Sequence, residues 1–178
     1  MGTGRINAMN LRQEIEALHR ASFGWAMSCC RNQRQEAEDV LQVAYLKILE
    51  GRARFAGRSS FRTWLFAVIN RTAQEARRRR WLHAVLLERW HAKEADGKGF
   101  SVKEEPGDAQ DQNQQLSRAL AQLSPRQQEI LHLVFYQDLT VEESARVLGV
   151  SIGSARTHYE RGKERLRTLL SLEVCHGG

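Results

Sequence analysis

The chain has 178 residues, with 27 lysine and arginine side chains against 21 aspartate and glutamate side chains, so that its net charge is +6 and its sequence pI is about 9.6. Hydrophobic residues make up 42% of it, which excludes a wholly disordered protein, and no apolar run approaches the roughly 20 residues that a membrane-spanning helix needs. The amino terminus lacks the apolar stretch of a secretion signal. We therefore expect a cytoplasmic protein without membrane insertion.

Three helices are predicted in the first half of the chain. One covers roughly residues 11–30, a second runs from Ala37 to Leu49, and a third begins after an N-cap at Ser59 or Ser60. The third helix has apolar residues at positions i, i+3, i+4, i+7 and i+8, which form one buried stripe: Phe61, Trp64, Leu65, Val68 and Ile69. The pattern predicts a compact unit of three or four helices.

The positive charge is concentrated in residues 51–80. This block holds nine arginines and no lysine, against Glu75 alone, and it ends in four consecutive arginines. Such a patch favours a polyanion through counterion release, and the planar guanidinium suits bidentate contacts to phosphate or guanine. It therefore indicates nucleic-acid binding, the alternative being a solvated basic helix end.

Residues 91–115 differ from their surroundings. They contain Gly97, Gly99, Pro106 and Gly107, an excess of acidic residues and few large apolar residues. This composition is typical of a flexible acidic linker. It divides the chain into a domain of residues 1–90 and a domain of residues 116–178.

The second domain has clear helix boundaries. A capping box begins at Ser124, another begins at Thr140, and Ser151 is an N-cap for a last helix. Gly149 follows the helix that starts after Thr140, where the backbone needs a left-handed conformation. No strand-like alternation occurs along the chain, so we expect an all-α fold of two small helical domains.

The two helices on either side of Gly149-Val150-Ser151 have the spacing of a helix-turn-helix. The first half of the last helix carries side chains that bond bases or phosphates, in the part of such a motif that enters the major groove. This favours DNA binding over an ordinary αα-hairpin. The side chains are Ser154, Arg156, Thr157, His158, Glu160, Arg161 and Lys163.

Two stretches of the first domain resemble the second conserved region of bacterial sigma factors. They are residues 36–46, EAEDVLQVAYL, and residues 55–66, FAGRSSFRTWLF, which are followed by Asn70 and the arginines. Residues 123–166 are similar to the fourth conserved region. Two such regions with a short linker resemble the extracytoplasmic-function (ECF) group of the sigma-70 family.

The resemblance implies a non-enzymatic protein without cofactors that binds core RNA polymerase, directs it to promoter DNA and helps to open the duplex. It also implies control by an anti-sigma factor that covers the polymerase-binding surfaces. The implied polymerase contacts are Glu38, Asp39, Gln42 and Tyr45. The implied contacts to the melted −10 element and the adjacent duplex are Arg54, Arg58, Ser59, Arg62, Asn70, Arg71, Arg77, Arg78, Arg79 and Arg80. The implied −35 contacts are Ser154, Arg156, Thr157, His158, Arg161 and Lys163, with Arg156 and Thr157 as the base readers.

Trp64 and the cysteines are not among these contacts and need a separate interpretation. Because Trp64 lies in the apolar stripe, a core role is favoured over stacking on a base. The three cysteines, Cys29, Cys30 and Cys175, lack the spacing of a metal site or a disulfide scaffold, so we expect no bound metal.

Two other functions compete with the sigma-factor interpretation. A stand-alone helix-turn-helix regulator would bind duplex promoter DNA tightly by itself, whereas a sigma factor would bind weakly until polymerase is added. An enzyme is disfavoured, because the sequence has no P-loop, no HExxH motif and no carboxylate cluster beside the arginines.

Overall fold

The computed structural model describes residues 8–91 and 111–174. All regular structure within these ranges is helical, which confirms the all-α fold class. The helices are α1 (Ala8–Ala17), α2 (His19–Cys29), α3 (Arg34–Leu49), α4 (Phe61–His91), α5 (Asp111–Ala121), α6 (Pro125–Phe135), α7 (Val141–Leu148) and α8 (Ile152–Val174). Most of the predicted linker, residues 92–110, lies outside the described residues, and α5 begins at Asp111, ahead of the predicted domain boundary.

The helix predicted over residues 11–30 is two helices, not one. The break lies at Leu18, whose φ of −95° and ψ of 1° are not helical. Ile15 of α1 and Trp25 of α2 are both buried, and α1 packs against α2. The local apolar pattern alone did not show the break.

The first half of the chain is built around α4. Ser60 is its N-cap, because Ser60 Oγ accepts a hydrogen bond of 3.2 Å from the backbone N–H of Thr63. Leu65 and Ile69 of the predicted stripe are fully buried where α4 packs against α2 and α3. The second half of the same helix leaves the core and carries the four consecutive arginines into solvent.

Both predicted capping boxes of the second half are present. Ser124 Oγ accepts from the backbone N–H of Gln127, and Thr140 Oγ1 accepts from that of Glu143, and in each case the later side chain bonds back to the N-cap backbone. Gly149 ends α7 with a φ of +67°, as the helix-turn-helix requires. These caps orient α6, α7 and α8 as a three-helix unit in which each helix packs against the other two.

The two halves contact each other. Helix α7 packs against α4, and α6 packs against α2. The rings of Trp25 and His132 lie 5.5 Å apart across the second of these contacts. None of the described helices is long and apolar enough to cross a membrane.

Replacing Gly149 by alanine should destabilise the protein by about 1–2 kcal/mol, because an L side chain is strained at a positive φ. Urea unfolding measures this change. Gly153→Ala is the matched control, since Gly153 is helical and a Cβ there would meet only Ser151 Oγ at 4.0 Å, so that alanine there should be neutral or stabilising. Equal effects of the two substitutions would contradict the left-handed turn.

Candidate functional site

Five arginines of α4 are exposed to solvent: Arg71, Arg77, Arg78, Arg79 and Arg80. Arg80 forms an ion pair with Glu36 of α3. Among the described residues, no carboxylate lies within ion-pair distance of the other four. Unpaired cations on one helix are free to neutralise the phosphates of a nucleic acid. This group is called the arginine row below.

The loop between α3 and α4 exposes three further arginines beside an aromatic cluster, and the first of them, Arg52, forms an ion pair with Glu50. The backbone N–H of Ala53 donates to the Lys47 carbonyl at 2.9 Å and fixes the start of the loop. Phe55, Phe61 and Trp64 pack with their ring centroids 5.2–5.6 Å apart. Trp64 is half-buried in this cluster and packs against the core, in keeping with the core role that its place in the apolar stripe favours. Arg54 and Arg58 are exposed on the loop, and Ser59 is half-buried.

Two of the residues expected to contact DNA bond to the other half of the chain in this structure. Asn70 is 3% exposed, and its Nδ2 donates to the carbonyl of Val147 in α7 at 3.1 Å. The guanidinium of Arg62 donates to Gln137 Oε1 at 3.2 Å. In this arrangement the arginine row is open to solvent, whereas Asn70 is closed to it.

The first half of α8 presents a polar surface. Ser151 caps the helix, since its Oγ accepts from the backbone N–H of Ser154 at 3.1 Å. Arg156 is exposed and lies 3.5 Å from Glu142, whereas Lys163 is partly covered and lies 3.0 Å from Glu160. The members of this surface are the exposed Ser154, Arg156, Thr157 and Arg161 and the half-buried His158 and Lys163.

Helix α3 has an exposed apolar face that the sequence interpretation missed. Val43, Leu46 and Leu49 are 43%, 44% and 54% exposed, and helical spacing places them beside the exposed Asp39 and Gln42. An exposed apolar patch with a polar rim is typical of a protein interface. The sequence signal for this exposed face was the presence of large apolar residues on more than one side of the α3 helix.

The predicted polymerase contacts divide between two places on α3. Glu38, Gln42 and Tyr45 line a groove of about 550 Å³ between α2 and α3, whereas Asp39 lies on the apolar face, which Gln42 also borders. The Tyr45 hydroxyl lies 3.2 Å from His19 Nδ1. Burial raises the pKa of Tyr45, so its hydroxyl stays protonated and can donate.

The two cysteines of α2 and its C-cap are buried free thiols. Burial raises the pKa of both Cys29 and Cys30. Across the part of the chain that the structure describes, no group of three or more histidine, cysteine, aspartate or glutamate side chains could hold a metal ion.

Family models match both halves of the chain. The sigma-70 region 2 model matches residues 15–83, and the sigma-70 region 4 model matches residues 113–166. RNA polymerase sigma factor CarQ of Myxococcus xanthus is 30% identical over 142 residues, which are 78% of this chain and 79% of CarQ. ECF RNA polymerase sigma factor EcfG of Rhodopseudomonas palustris is 26% identical over 166 residues, or 92% and 87% of the two chains. The chain belongs to the ECF group of the sigma-70 family.

The structure has the fold of a known sigma factor. RpoE of Bartonella quintana, solved in complex with the anti-sigma factor NepR, superimposes with a TM-score of 0.67 and 23% identity over 91% of this chain and 97% of that one. As a member of the sigma-70 family, shown by the two family models and by CarQ, the protein is a transcription initiation factor and not an enzyme. It binds core RNA polymerase and directs transcription initiation at promoters.

His132 lies at the contact between α2 and α6 and is held uncharged. Its ring lies between those of Trp25 and Tyr136, at 5.5 Å and 5.3 Å, and burial lowers its pKa to about 4. Gln137 Nε2 lies 3.3 Å from His132 Nε2. Because Arg62 donates to the amide oxygen of Gln137, the amide nitrogen faces His132, whose Nε2 must be unprotonated to accept.

This burial predicts a loss of stability in weak acid. Because the pKa of His132 falls from 6.5 on folding, its contribution is complete above pH 6.5 and declines as the pH drops towards 4. Between pH 7.5 and pH 5.0 the loss should be about 1–2 kcal/mol, measured by urea unfolding. The His132→Phe variant keeps an aromatic ring but cannot take up a proton there, so its loss of stability over the same pH range should be smaller by about 1–2 kcal/mol. An identical pH dependence in both proteins would refute the assignment of this loss to His132.

Proposed function

We propose that this sigma factor contacts the promoter through two separate surfaces and polymerase through a third. The observation that carries this proposal is the arginine row, whose cations are exposed on a helix of which only the first half lies in the core. Solvent-exposed arginines in a row add little to folding stability, but they bind a phosphate backbone strongly. The proposed site of action is the cytoplasm, where polymerase and promoter DNA are found.

The proposed −10 surface combines the α3–α4 loop with α4. Opening a duplex exposes bases, and their capture needs aromatic or polar pockets together with a cationic path for the backbone. The aromatic cluster around Trp64 supplies a rigid base for the loop, and the arginine row supplies the path. The proposed contacts are Arg54, Arg58, Ser59, Arg62, Asn70, Arg71, Arg77, Arg78, Arg79 and Arg80.

The proposed −35 surface is the first half of α8. In a helix-turn-helix, the residues near the start of the second helix reach the base edges, and later residues reach phosphates. Arg156 and Thr157 are exposed within the first two turns, and Arg161 follows one turn later. We assign base contacts to the first two and a phosphate contact to Arg161, with Ser154, His158 and Lys163 around them.

The proposed polymerase surface is the face of α3 that carries Asp39, Gln42, Val43 and Leu46. Apolar side chains supply most of the affinity of such an interface, and the carboxylate supplies orientation. Glu38 and Tyr45 extend this surface into the α2–α3 groove. An anti-sigma factor that covers the same face would exclude polymerase, and we propose that this competition controls the protein.

In vitro transcription with purified core polymerase and a promoter library tests the proposal. Addition of the protein should produce initiation from a subset of promoters on which core alone is silent. Initiation no higher than with core alone, together with tight binding of duplex sites by the free protein, would favour the stand-alone regulator.

Arg156→Ala should relax the preference at one or two −35 positions by about 1–3 kcal/mol, because a bidentate base contact is lost. Competition binding of single-base promoter variants by the polymerase holoenzyme measures it. Arg167→Ala is the matched control, since Arg167 is exposed on the same helix about 16 Å further along. A uniform loss on all sequences would make Arg156 a phosphate contact instead.

Asp39→Ala should weaken binding to core polymerase by about 1 kcal/mol, roughly fivefold, with unchanged helicity by circular dichroism. Glu14→Ala removes an equally exposed carboxylate from α1 and should leave the affinity unchanged. An Asp39 variant that loses helicity would assign the residue a folding role.

A further inference from the structure

A carboxylate of α7 lies beside the guanidinium of Arg156 in α8. Nη2 of Arg156 is 3.5 Å from Oε1 of Glu142, which lies in the first turn of α7. Among the described residues, no other cation lies within ion-pair distance of Glu142, and no other carboxylate lies within that distance of Arg156. The pair therefore links the two helices of the helix-turn-helix through a single contact.

The needs of folding do not account for Glu142. The capping box at the start of α7 uses the next residue, since Oε2 of Glu143 accepts from the backbone N–H and the hydroxyl of Thr140, both at 3.0 Å. The side chains of Glu142 and Arg156 are 56% and 66% exposed. An ion pair so open to water adds little to the free energy of unfolding. The position of Glu142 is better explained by what it does to Arg156.

The backbone on either side of the pair is fixed by packing. Ala145 of α7 and Ala155 of α8 are 1% and 0% exposed, and the two helices pack against each other. The backbone N–H of Val150, in the turn between them, donates to the carbonyl of Ala145 at 3.0 Å. Because neither helix can shift without disturbing this packing, the carboxylate has a defined place next to the reading helix.

The contact leaves most of the guanidinium available. Glu142 is paired with one terminal nitrogen of Arg156, and the other nitrogens make no hydrogen bond to a described residue. A guanidinium has five N–H groups in a planar fork, and guanine accepts two of them through O6 and N7. Guanine is uncharged, so it can bind while the pair persists. A phosphate is an anion, which the neighbouring carboxylate repels.

We infer that Glu142 is a positioning residue for recognition of the −35 element, where it holds the guanidinium of Arg156 towards a guanine edge and away from phosphate. This inference rests on the proposed base contact of Arg156. It gives the −35 surface a specificity-determining residue on α7, outside the reading helix itself. It also assigns guanine as the base that Arg156 reads.

The second ion pair of this surface differs in kind. Glu160 lies 3.0 Å from Lys163 within α8, and the Lys163 ammonium lies 4.4 Å from the centroid of the Tyr159 ring. An ammonium is a compact charge without a planar fork, so a carboxylate beside it selects no base edge. The positioning role is therefore confined to Glu142.

Glu142→Gln in the polymerase holoenzyme tests the inference. The measurement is competition binding of promoter duplexes that differ only at the −35 position whose preference Arg156→Ala relaxes. The preference for guanine there should fall about fivefold, because the guanidinium loses its orienting partner. Glu164→Gln is the matched control, since Glu164 is exposed on α8 and forms no ion pair with a described residue. It removes the same charge and should leave the preference unchanged. An unchanged preference in Glu142→Gln, or an equal loss in both variants, would overturn the inference.

Glu142→Asp separates position from charge. It keeps the charge at the start of α7, but its side chain is shorter by one carbon, about 1.5 Å. Its preference for guanine should fall two- to threefold. Full preference in the aspartate variant would mean that the charge acts at a distance, which contradicts a positioning role.

A double-mutant cycle separates Glu142 from direct base contact. In the Arg156→Ala holoenzyme, Glu142→Gln should cause no further change at the tested position, because the group that it orients is gone. A further loss there would mean that Glu142 contacts the base itself and would overturn the inference. If Arg156→Ala alone leaves every base preference unchanged, the proposed base contact fails and the inference with it. If Arg156→Ala relaxes the preference and Glu142→Gln does not, only the inference fails.

Discussion

The indole of Trp25 joins the three helices on which the rest of the molecule depends. It is fully buried in α2, donates a 3.1 Å hydrogen bond to the Phe66 carbonyl in α4, and packs against His132 of α6. A buried indole N–H without a partner would be costly, so this bond determines how α2 lies on α4. Since α4 carries the arginine row and α6 leads into the helix-turn-helix, the same side chain contributes to the position of both DNA-binding surfaces.

The outer and inner surfaces of this sigma factor differ in whether their side chains are free to bind a partner. Apart from Arg71, the arginine row is on the part of α4 beyond the core, and its exposed charges cost little desolvation. The apolar face of α3 remains outside the core, because Ala37, Leu41, Ala44 and Ile48 already fill the buried side of that helix. Exposed side chains are thus free for partners, whereas Asn70 and Arg62, on the inner side of α4, satisfy their polar groups within the chain.

The uncharged His132 side chain takes part in the contact between the two halves of the chain. Its unprotonated Nε2 faces the amide of Gln137, whose oxygen bonds to Arg62, so one polar chain joins α6, the α6–α7 turn and α4. A charge on His132 would meet an amide donor and two aromatic rings. Such a chain is stable only when every member is paired, which makes it sensitive to the loss of any one of them.

The sequence by itself determined the all-α class and several helix ends, because the caps at Ser124 and Thr140 and the left-handed Gly149 act within a few residues. It also determined the family, through two motifs in order, and the candidate residues, whose roles are proposals. It did not show the break at Leu18 or the exposure of Leu46, since both depend on how helices pack. Only the tertiary structure decided that Asn70 contacts Val147, because two residues 77 positions apart share no local pattern and meet only when their helices pack.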